Sequence, residues 1–495
     1  TGEGFRCMVF AMFDSDDYQR LSELERVART LDPGSDIRLQ HGRRVMRHAD
    51  AYLSAVEHAP AYQLGPGKAA GLLDCPIAET GIGLDHALEL IDRFVDREGI
   101  APTSGRFTGY VPGGGLFHAA LGDFLAAISN RYAGVFFASP GAVRIENQLV
   151  RWMAGLAGLP KGASGYLSAG GSGATLAAIV TARDARGISG ENIPRAVVYV
   201  TEHTHHCVDK AMHIAGLGAV QRRHVAADER LRMRPEALAA AIRKDRQEGM
   251  LPWMLLLSAG TTNTGSVDPL SPLGEIAARE SLWLHVDAAY GGFFLLTDEG
   301  REKLAGIEQA DSVVMDPHKT LFLPYGSGAL LVRDGALLKQ AHRGDADYLQ
   351  DTMASLDEDS PADLSPELTK HFRGLRMWLP LQVLGLAPFR AALSEKLLLA
   401  RYFHAQMAAS DLFEVGPTPD LSVVTFRQKG DDALNQRLVE AVQRDGRIFL
   451  SSTRLGGRFT LRMAAVCHRT HLAEIDTTIQ VLHELAAKAC QDRRA

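Results

Sequence analysis

The sequence predicts an α/β protein with a mostly parallel sheet in its large domain, a helical arm before that domain and a small α/β domain after it. From residue 142 onward, helical patterns alternate with short β-branched runs at residues 196–201, 253–258, 283–287, 312–315 and 328–333. This alternation is typical of βα units whose strands are buried on both faces. The chain has 495 residues, 46% of them apolar and 23% charged, which is ample for a globular core.

Residues 1–105 are predicted to form the helical arm. Leu21, Leu24, Val27 and Leu31 recur at helical spacing, and residues 84–95 repeat the pattern. Apolar residues three or four positions apart lie on one face of a helix. The arm therefore has apolar faces but little chain of its own with which to bury them.

The rest of the chain divides into a large domain, residues 106–385, and a small domain, residues 386–495. Residues 366–408 have a long helical pattern. After them, three predicted strands are interleaved with helices that begin near Ala433 and His471; the strands cover residues 422–427, 447–451 and 459–464. Residues 345–365 contain many acidic side chains and little periodicity, so we expect an exposed loop there.

Composition excludes several classes of partner. The chain has 53 basic and 59 acidic residues, a net charge of −6, so no overall basic field attracts nucleic acid or an anionic membrane. The uncharged run between Lys161 and Arg183 contains five glycines, which argues against a membrane-spanning helix. The first residues do not resemble a signal peptide, and the missing initiator Met suggests trimming.

The cysteines point to the cytoplasm. There are five, an odd number, widely scattered and without a C-x-x-C pair. Structural disulfides and zinc ribbons normally require paired cysteines at short or regular spacings. We therefore expect free thiols in a reducing compartment.

A glycine-rich segment at residues 168–175, ahead of a helical run, is the first candidate site. Gly171 and Ser172 would lie where a helix begins, and the N–H groups at a helix N-terminus attract anions. The segment is neither a Walker loop nor a G-x-G-x-x-G fingerprint. By itself the segment is weak evidence for a phosphate cradle, because a glycine-rich turn is more often only a turn.

Two polar residues follow predicted strands. Asp287 ends the run at residues 283–287, and Lys319 comes shortly after residues 312–315. Ligands of open α/β sheets bind at the carboxyl ends of strands. Asp287 could equally cap a helix, and most loop lysines are solvated. In a desolvated site, however, the Lys319 amine would have a lowered pKa and become nucleophilic.

Histidines at positions 203, 205 and 206, followed by Cys207, suggest a metal site. No pair of them has zinc-finger spacing, and tetrahedral sites normally draw ligands from more than one segment. We expect no metal here. The better interpretation is that at least one of these histidines faces a ligand.

Three segments together carry a resemblance. Asp316-Pro317-His318-Lys319, His285 to Tyr290 and Ala259-Gly260-Thr261-Thr262 resemble the group II pyridoxal phosphate-dependent amino acid decarboxylases, over about residues 110–485. The resemblance implies fold type I, the aspartate aminotransferase-like fold, with pyridoxal phosphate as cofactor. It also implies a homodimer with sites at the subunit interface, the arm wrapping the partner.

The resemblance implies a role for each matching residue. Lys319 would form the Schiff base, Asp287 would pair with the pyridine nitrogen, and His205 would stack on the ring. Ala289 would pack below the ring, and Gly171, Ser172 and Thr262 would lie around the phosphate. His318 would either assist proton transfer or support the loop.

The implied reaction is decarboxylation of an L-amino acid to its amine and CO₂, through a quinonoid. Tyr348 matches a tyrosine in a loop of the family that would close over the substrate and return the proton to Cα. An ordinary exposed aromatic residue in a loop would give the same sequence pattern. Relatives with Phe at that position tend towards aldehyde products. Arg373 matches an arginine that lies near the active site in the family. An arginine at an interface or at a helix end would give the same sequence pattern.

The expected substrate is a small molecule, an amino acid whose identity the sequence does not give. The resemblance places Tyr110 and Pro112 in the substrate pocket. Val111 and Gly134 stand where aromatic amino acid decarboxylases have aromatic residues, and residues 113–115 are all glycine. This loss of volume would widen the pocket and argues against a simple aromatic substrate.

Three alternatives to this decarboxylation remain. The first is a lyase that cleaves another carbon–carbon bond, the second a decarboxylating aldehyde synthase, and the third an inactive cofactor-binding scaffold.

Overall fold

The computed structural model describes residues 15–63, 69–342 and 358–491. Within these ranges the chain forms two compact units. One unit comprises residues 15–58 and 69–98, and the other comprises residues 59–63, 99–342 and 358–491. The three-domain division at residues 105 and 385 stays a prediction.

The first unit is helical and almost without a core. Its α-helices are α1 (Ser15–Ala28), α2 (Ser35–Ala55) and α3 (Leu84–Ile91). Among its described residues only Val56, at 5% exposure, is buried. The apolar side chains of α1, including Leu21, Leu24 and Val27, are more than half exposed. Helical periodicity predicted α1 and α3 but did not identify α2. Helix propensity alone seldom stabilises a helix without a packed apolar face.

The described residues of the second unit form thirteen strands. They are β1 (Tyr62–Gln63), β2 (Gly99–Ile100), β3 (Ser164–Ser168), β4 (Ala196–Val200), β5 (Gln221–His224), β6 (Leu251–Ser258), β7 (Trp283–Asp287), β8 (Ser312–Met315), β9 (Gly328–Val332), β10 (Phe413–Val415), β11 (Val423–Gln428), β12 (Ser451–Leu455) and β13 (Arg458–Ala464).

Its α-helices pack on two sheets of these strands. They are α4 (Phe117–Ser129), α5 (Pro140–Leu156), α6 (Gly171–Ala185), α7 (Cys207–Ile214), α8 (Pro235–Gln247), α9 (Leu270–Arg279), α10 (Asp298–Lys303), α11 (Pro317–Thr320), α12 (Gly335–His342), α13 (Arg373–Leu384), α14 (Ala387–Ala408), α15 (Asp432–Asp445) and α16 (Leu472–Gln491). No described helix is both long enough and apolar enough to cross a bilayer.

The larger sheet has the strand order β3-β9-β8-β7-β6-β4-β5. Six of these strands run in one direction and β9 runs in the opposite direction, so the prediction of a mostly parallel sheet is confirmed. Alternate residues enter two apolar clusters on opposite faces: Val197 and Tyr199 enter one, and Val198 and Val200 the other. A sheet covered on both faces explains the continuous apolar runs in the sequence.

Two strands of this sheet escaped prediction. β3 contains Ser164, Gly165 and Ser168, which are poor strand formers. β5, the edge strand Gln221–His224, is polar and mostly exposed. A strand that is not buried on both faces lacks the apolar run by which its neighbours were recognised.

The smaller sheet is antiparallel, with the order β10-β11-β13-β12. The predicted strand at residues 447–451 is wrong, because β12 begins only at Ser451. Phe449 instead forms an isolated bridge with Phe107, and their rings stack at 5.5 Å. The helical pattern at residues 366–408 corresponds to α13 and α14, separated at Gly385, whose φ of +70° suits a glycine.

The strand register fixes the position of the cleft. β6, β7 and β8 are adjacent and parallel; Ser258 pairs with Asp287, and Asp287 pairs with Val314. The carboxyl ends of these strands therefore meet at one edge of the sheet. Binding sites of open α/β sheets form at this edge.

Candidate active site

A cleft of about 590 Å³ opens at that edge of the sheet. It brings together most of the residues that the sequence singled out: Tyr110, Pro112, Gly171, Ser172, His205, Thr262, Asp287, Ala289, His318 and Lys319. Arg373 does not line it; this residue pairs with Glu367 at 2.6 Å. Tyr348 lies outside the described residues.

We distinguish two sets of lining residues. The sheet wall consists of Gly171, His205, Asp287, Asp316 and Lys319, which follow strands of the large sheet. The aromatic wall consists of Tyr110, Val111, Pro112, Tyr325 and Arg462.

Lys319 lies in the short helix α11, which follows β8. Its Nζ is 3.0 Å from Asp316 Oδ2, and its side chain is 20% exposed. Burial lowers the pKa of Lys319, but Asp316 and Asp287 together raise it by more, so the net pKa is above the usual lysine value. The expectation of a lowered pKa is therefore wrong in this structure. Two nearby carboxylates outweigh desolvation and favour the ammonium form.

Asp316 also lines the cleft. It belongs to the Asp-Pro-His-Lys motif, but the sequence predicted no role for it. It is almost fully buried, and one carboxylate oxygen binds Lys319. Within the described part of the chain, its Oδ1 has no hydrogen-bond partner. Its position between a predicted buried strand and Lys319 is the sequence feature that could have identified it.

Asp287 and His205 face the same cleft from neighbouring elements. Asp287, at the end of β7, accepts a hydrogen bond of 3.1 Å from the Ala289 N–H. His205 Nδ1 accepts a hydrogen bond of 3.2 Å from the Cys207 N–H. Burial lowers the pKa of His205, although Asp287 opposes the shift. His205 is therefore a neutral imidazole whose proton lies on Nε2.

The glycine-rich segment begins helix α6 at Gly171. A Cβ at this position would lie 2.8 Å from Asp316 Oδ2, so a side chain there would displace the carboxylate. The first N–H groups of a helix have no intrahelical acceptor and attract anions. Glycine thus lets the helix start approach Asp316 closely, and its free N–H groups at the cleft could bind a phosphate.

His318 supports the lysine loop. Its Nδ1 accepts a hydrogen bond of 3.2 Å from the Ser327 N–H, and its Nε2 lies 3.7 Å from Asp316 Oδ2. Burial lowers the pKa of His318. The neutral His318 ring therefore connects α11, through its hydrogen bond with the Ser327 N–H, to the segment that precedes β9.

Arg462 in β13 is a second residue that the sequence reasoning missed. It is 4% exposed and lines the cleft. Its Nε donates to Asn263 O at 2.8 Å, Nη1 donates to Ser451 Oγ at 3.0 Å, and Nη2 donates to Thr262 O. Burial lowers the pKa of Arg462 to about 10, so it remains charged at neutral pH. Nothing in the sequence around position 462 connects it to a segment 200 residues earlier.

The glycines thought to enlarge the cleft do not face it. A Cβ at Gly114 would meet Cys467 Sγ at 2.6 Å, and one at Gly134 would meet Leu368 O at 2.7 Å. A Cβ at Gly113 would collide with the Val466 carbonyl. The prediction that these glycines widen the pocket is therefore wrong within this chain, since protein atoms already fill the space.

The lining residues fit pyridoxal phosphate. That cofactor needs an amine for covalent attachment, a carboxylate for its ring nitrogen and a group that holds its phosphate. Lys319, Asp287 and the cradle at Gly171 offer these three groups in one cleft. The neutral His205 adds a flat ring beside them.

Comparison with known proteins supports the same interpretation. The sequence model described as "Pyridoxal-dependent decarboxylase conserved domain" matches residues 91–429. An aromatic-L-amino-acid decarboxylase from Bacillus atrophaeus is 32% identical over 83% of this chain and 87% of its own length. A phenylacetaldehyde synthase from Arabidopsis thaliana is 28% identical over 90% and 95% of the two chains, respectively.

A solved structure matches as well. The crystal structure of Oryza sativa TDC with PLP and tryptamine superimposes with a TM-score of 0.86 at 25% identity, over 92% of this chain and 99% of that chain. Fold type I, the α/β fold of pyridoxal phosphate enzymes, is thereby confirmed. The chain belongs to the pyridoxal-dependent decarboxylase family and is a pyridoxal phosphate-dependent carboxy-lyase that acts on an amino acid.

Proposed function

We propose that this enzyme decarboxylates an aromatic L-amino acid to the corresponding amine. The observation that carries the proposal is a single cleft in which Lys319, Asp287 and His205 share the space with Tyr110 and Tyr325. The relative from Bacillus atrophaeus is named for aromatic amino acids, which supports this substrate class. The glycines at 113, 114 and 134 do not enlarge the cleft, which removes their part of the case against an aromatic substrate, whereas Val111 does line the cleft.

Each lining residue then has a role. When bound, pyridoxal phosphate supplies an electron sink for the pair left on Cα as CO₂ departs. Lys319 would hold the cofactor covalently, and Asp287 would stabilise a proton on its ring nitrogen. His205 would pack its neutral ring against the cofactor ring, and Ala289 would offer it a small surface.

The remaining residues orient and support these groups. The helix start at Gly171 and Ser172, with Thr262 nearby, binds the phosphate. His318 and Asp316 position Lys319 through the contacts described above. Tyr110 and Pro112 contact the substrate. We propose that Arg373 supports the structure and does not contact the substrate, because its guanidinium donates two hydrogen bonds to Glu367.

Product analysis tests this function. The holoenzyme is incubated with a panel of L-amino acids, and amine, CO₂, aldehyde and ammonia are measured. Amine and CO₂ in equal amounts from an aromatic substrate support the proposal. A retained carboxylate indicates a lyase of another bond. No product from any substrate, with the cofactor bound, indicates the inactive scaffold.

An aldehyde synthase is the second candidate, since the phenylacetaldehyde synthase relative covers nearly the whole chain. Tyr348 is the residue that we propose separates the two reactions, because a tyrosine hydroxyl can return a proton to Cα. Tyr348→Phe is expected to divert product from amine towards aldehyde. An unchanged amine yield would remove the proton-donor role.

We propose a homodimer with sites at its interface. The first unit buries almost nothing, and its exposed apolar faces need another surface to cover them. In the second unit, Phe124, Leu125 and Ile128 of α4 are about half exposed or more. Sedimentation of the holoenzyme at micromolar concentration is expected to give the mass of two chains, and a monomer would contradict the proposal.

We also propose a cytoplasmic location. Cys75, Cys207 and Cys467 are free thiols in the structure, as a reducing compartment would maintain them. Fractionation of the producing cells, with activity followed in each fraction, tests this location.

A further inference from the structure

Asp316 is a buried carboxylate in which only one oxygen has a partner. It is 1% exposed, and its Oδ2 binds Lys319 Nζ at 3.0 Å. Within the described part of the chain, Oδ1 accepts no hydrogen bond. Asp268, another buried aspartate of the second unit, accepts backbone N–H bonds of 2.7 and 2.8 Å, one on each oxygen. A buried acceptor without a donor is costly, so Asp316 Oδ1 calls for a donor that a ligand brings.

Helix capping does not explain the Asp316 side chain. Asp316 stands at the N-cap of α11, where an aspartate usually accepts a hydrogen bond from the first turn, but its side chain makes no such bond. The carboxylate lies against the start of a different helix, α6. A Cβ at Gly171 would be 2.8 Å from Asp316 Oδ2 and 3.2 Å from Oδ1. The carboxylate is therefore beside the proposed phosphate site.

This position creates a conflict of charge. The first N–H groups of α6, at Gly171 and Ser172, have no intrahelical acceptor and attract an anion. A phosphate bound there would stand beside the negative Asp316 carboxylate, and Asp287 places a second carboxylate in the same cleft. Like charges repel strongly in a poorly solvated site. A proton between phosphate and Asp316 removes the conflict and gives Oδ1 its donor.

The neighbouring side chains do not supply that proton. His318 Nε2 lies 3.7 Å from Asp316 Oδ2, beyond hydrogen-bond distance, and burial lowers the pKa of His318. Burial also lowers the pKa of His205 and raises that of Cys207 to about 12, so both are uncharged at neutral pH. Lys319 binds the other carboxylate oxygen, and its nitrogen is the one that the cofactor engages.

We propose that Asp316 is a specificity-determining residue that binds the cofactor phosphate as its singly protonated monoanion. The P–OH group donates to Asp316 Oδ1, while the N–H groups of α6 donate to the unprotonated oxygens. A phosphate monoester releases its second proton at about pH 6, roughly two units above an ordinary carboxyl group, so the proton stays on the phosphate. At about pH 8 the dianion from solution takes up one proton as it binds. This inference rests on the proposed phosphate site and is independent of the substrate class.

Phosphorus NMR of the holoenzyme tests the proposal, because the resonance of a phosphate monoester moves when its second proton is lost. Free pyridoxal phosphate at about pH 4 and about pH 9 provides reference positions for the monoanion and the dianion. At about pH 8 the wild-type holoenzyme is expected to resonate near the monoanion reference. Asp316→Asn is expected to resonate near the dianion reference, since its amide has no charge and can donate to phosphate.

Asp268→Asn is the control for Asp316→Asn. It changes a buried aspartate that does not line the cleft and whose two oxygens accept from the backbone. This variant is expected to lower the melting temperature and to leave the phosphorus resonance at the wild-type position.

Cofactor affinity gives a second readout. At about pH 8, Asp316→Asn is expected to bind pyridoxal phosphate about tenfold more tightly than the wild type, because the bound phosphate no longer has to take up a proton. Its affinity for pyridoxal, which lacks the phosphate, should not increase. If Asp316 only positioned Lys319, the substitution would weaken the binding of both compounds.

A dianion resonance in the wild type would overturn the proposal, even if Asp316→Asn failed to fold. A monoanion resonance in both proteins would reject the role of Asp316. Equal wild-type affinities for pyridoxal phosphate and pyridoxal would instead reject the phosphate site at the start of α6, and this inference with it. None of these results bears on the proposed decarboxylation, which product analysis tests separately.

Discussion

The two walls of the cleft are assembled in different ways. In the sheet wall, Asp287 and Lys319 follow neighbouring parallel strands, and the register of β7 and β8 places them together. In the aromatic wall, Tyr110 and Arg462 come from segments about 350 residues apart in sequence, joined through Ser451. Strand pairing thus positions the groups proposed to react, whereas long-range side-chain contacts position the surface proposed to meet the substrate.

This difference predicts two kinds of defect. Changes in the sheet wall remove chemistry or cofactor, so they should lower kcat or cofactor affinity. Changes in the aromatic wall remove ground-state binding, so they should raise KM and spare kcat. The following substitutions test the division.

The largest effect is expected for Asp287→Ala. Without the carboxylate, the cofactor ring nitrogen loses the partner that stabilises its proton, and the electron sink weakens. Turnover should fall by about 10³-fold or more, while absorbance titration still shows cofactor bound through Lys319. Near-normal turnover would refute the role of Asp287.

A smaller effect is expected for Gly171→Ala. The new methyl group would lie 2.8 Å from Asp316 Oδ2 and would displace this carboxylate, which lies beside the helix start proposed to bind the phosphate. The dissociation constant for pyridoxal phosphate should rise about tenfold, as read from absorbance titration of the apoenzyme.

Gly155→Ala is the control for Gly171→Ala. A Cβ at Gly155, a glycine of helix α5, meets nothing within 4 Å, and this residue is not among those that line the cleft. Its cofactor affinity should match that of the wild type. Equal weakening in both variants would show that a general effect of the added methyl group, rather than its place in the cleft, causes the loss.

In the aromatic wall, Tyr110→Ala should act mainly on KM. The ring contacts substrate in the proposed function but no reacting group, so KM should rise about tenfold with kcat within about threefold of wild type. Tyr110→Phe keeps the ring and should change neither value by more than about threefold. A large fall in kcat for Tyr110→Ala would erase the distinction between the walls.

The smallest effect concerns stability rather than turnover. His285 lies in β7 two residues before Asp287, fully buried, with Nδ1 2.8 Å from Ser312 Oγ. Burial lowers its pKa to about 4, whereas an unfolded chain binds that proton near pH 6.5. The unfolded chain therefore holds more protons between these values, so the free energy of unfolding decreases as the pH falls from about 6.5 to 4.

Comparison of the wild type with His285→Gln isolates this contribution. At pH 5 the wild type should lose about 1–2 kcal/mol more, relative to pH 7.5, than the variant. The buried Asp268, whose pKa is raised to about 6, acts in the opposite direction but is common to both proteins. Identical acid sensitivity in thermal melts would contradict a neutral His285 in the folded state.

The sequence predicted the sheet wall well because its residues lie in contiguous motifs at strand ends. Apolar runs located β4 and β6 to β9, and the polar residues after β7 and β8 indicated the cleft. The same runs could not reveal β5, which is a polar edge strand. The predicted strand at residues 447–451 contains Ile448 and Leu450, which are buried in a packed loop instead. An apolar pattern does not distinguish such a loop from a strand.

Three features of the site required coordinates. The position of Arg462 depends on contacts with residues 262, 263 and 451, and sequence distance hides such contacts. The pKa of Lys319 depends on whether carboxylates or apolar groups surround it, which sequence does not specify. The glycines near Pro112 suggested empty volume, but only packing shows which side of the backbone their missing side chains would occupy.

Covalent trapping tests the central claim most directly. The holoenzyme is reduced with borohydride, which converts an imine between cofactor and lysine into a stable amine, and the digested protein is analysed by mass spectrometry. The account predicts a single cofactor-modified peptide containing Lys319, and none in Lys319→Ala. Modification of a different lysine, or an unmodified Lys319 in a fully loaded enzyme, would contradict it.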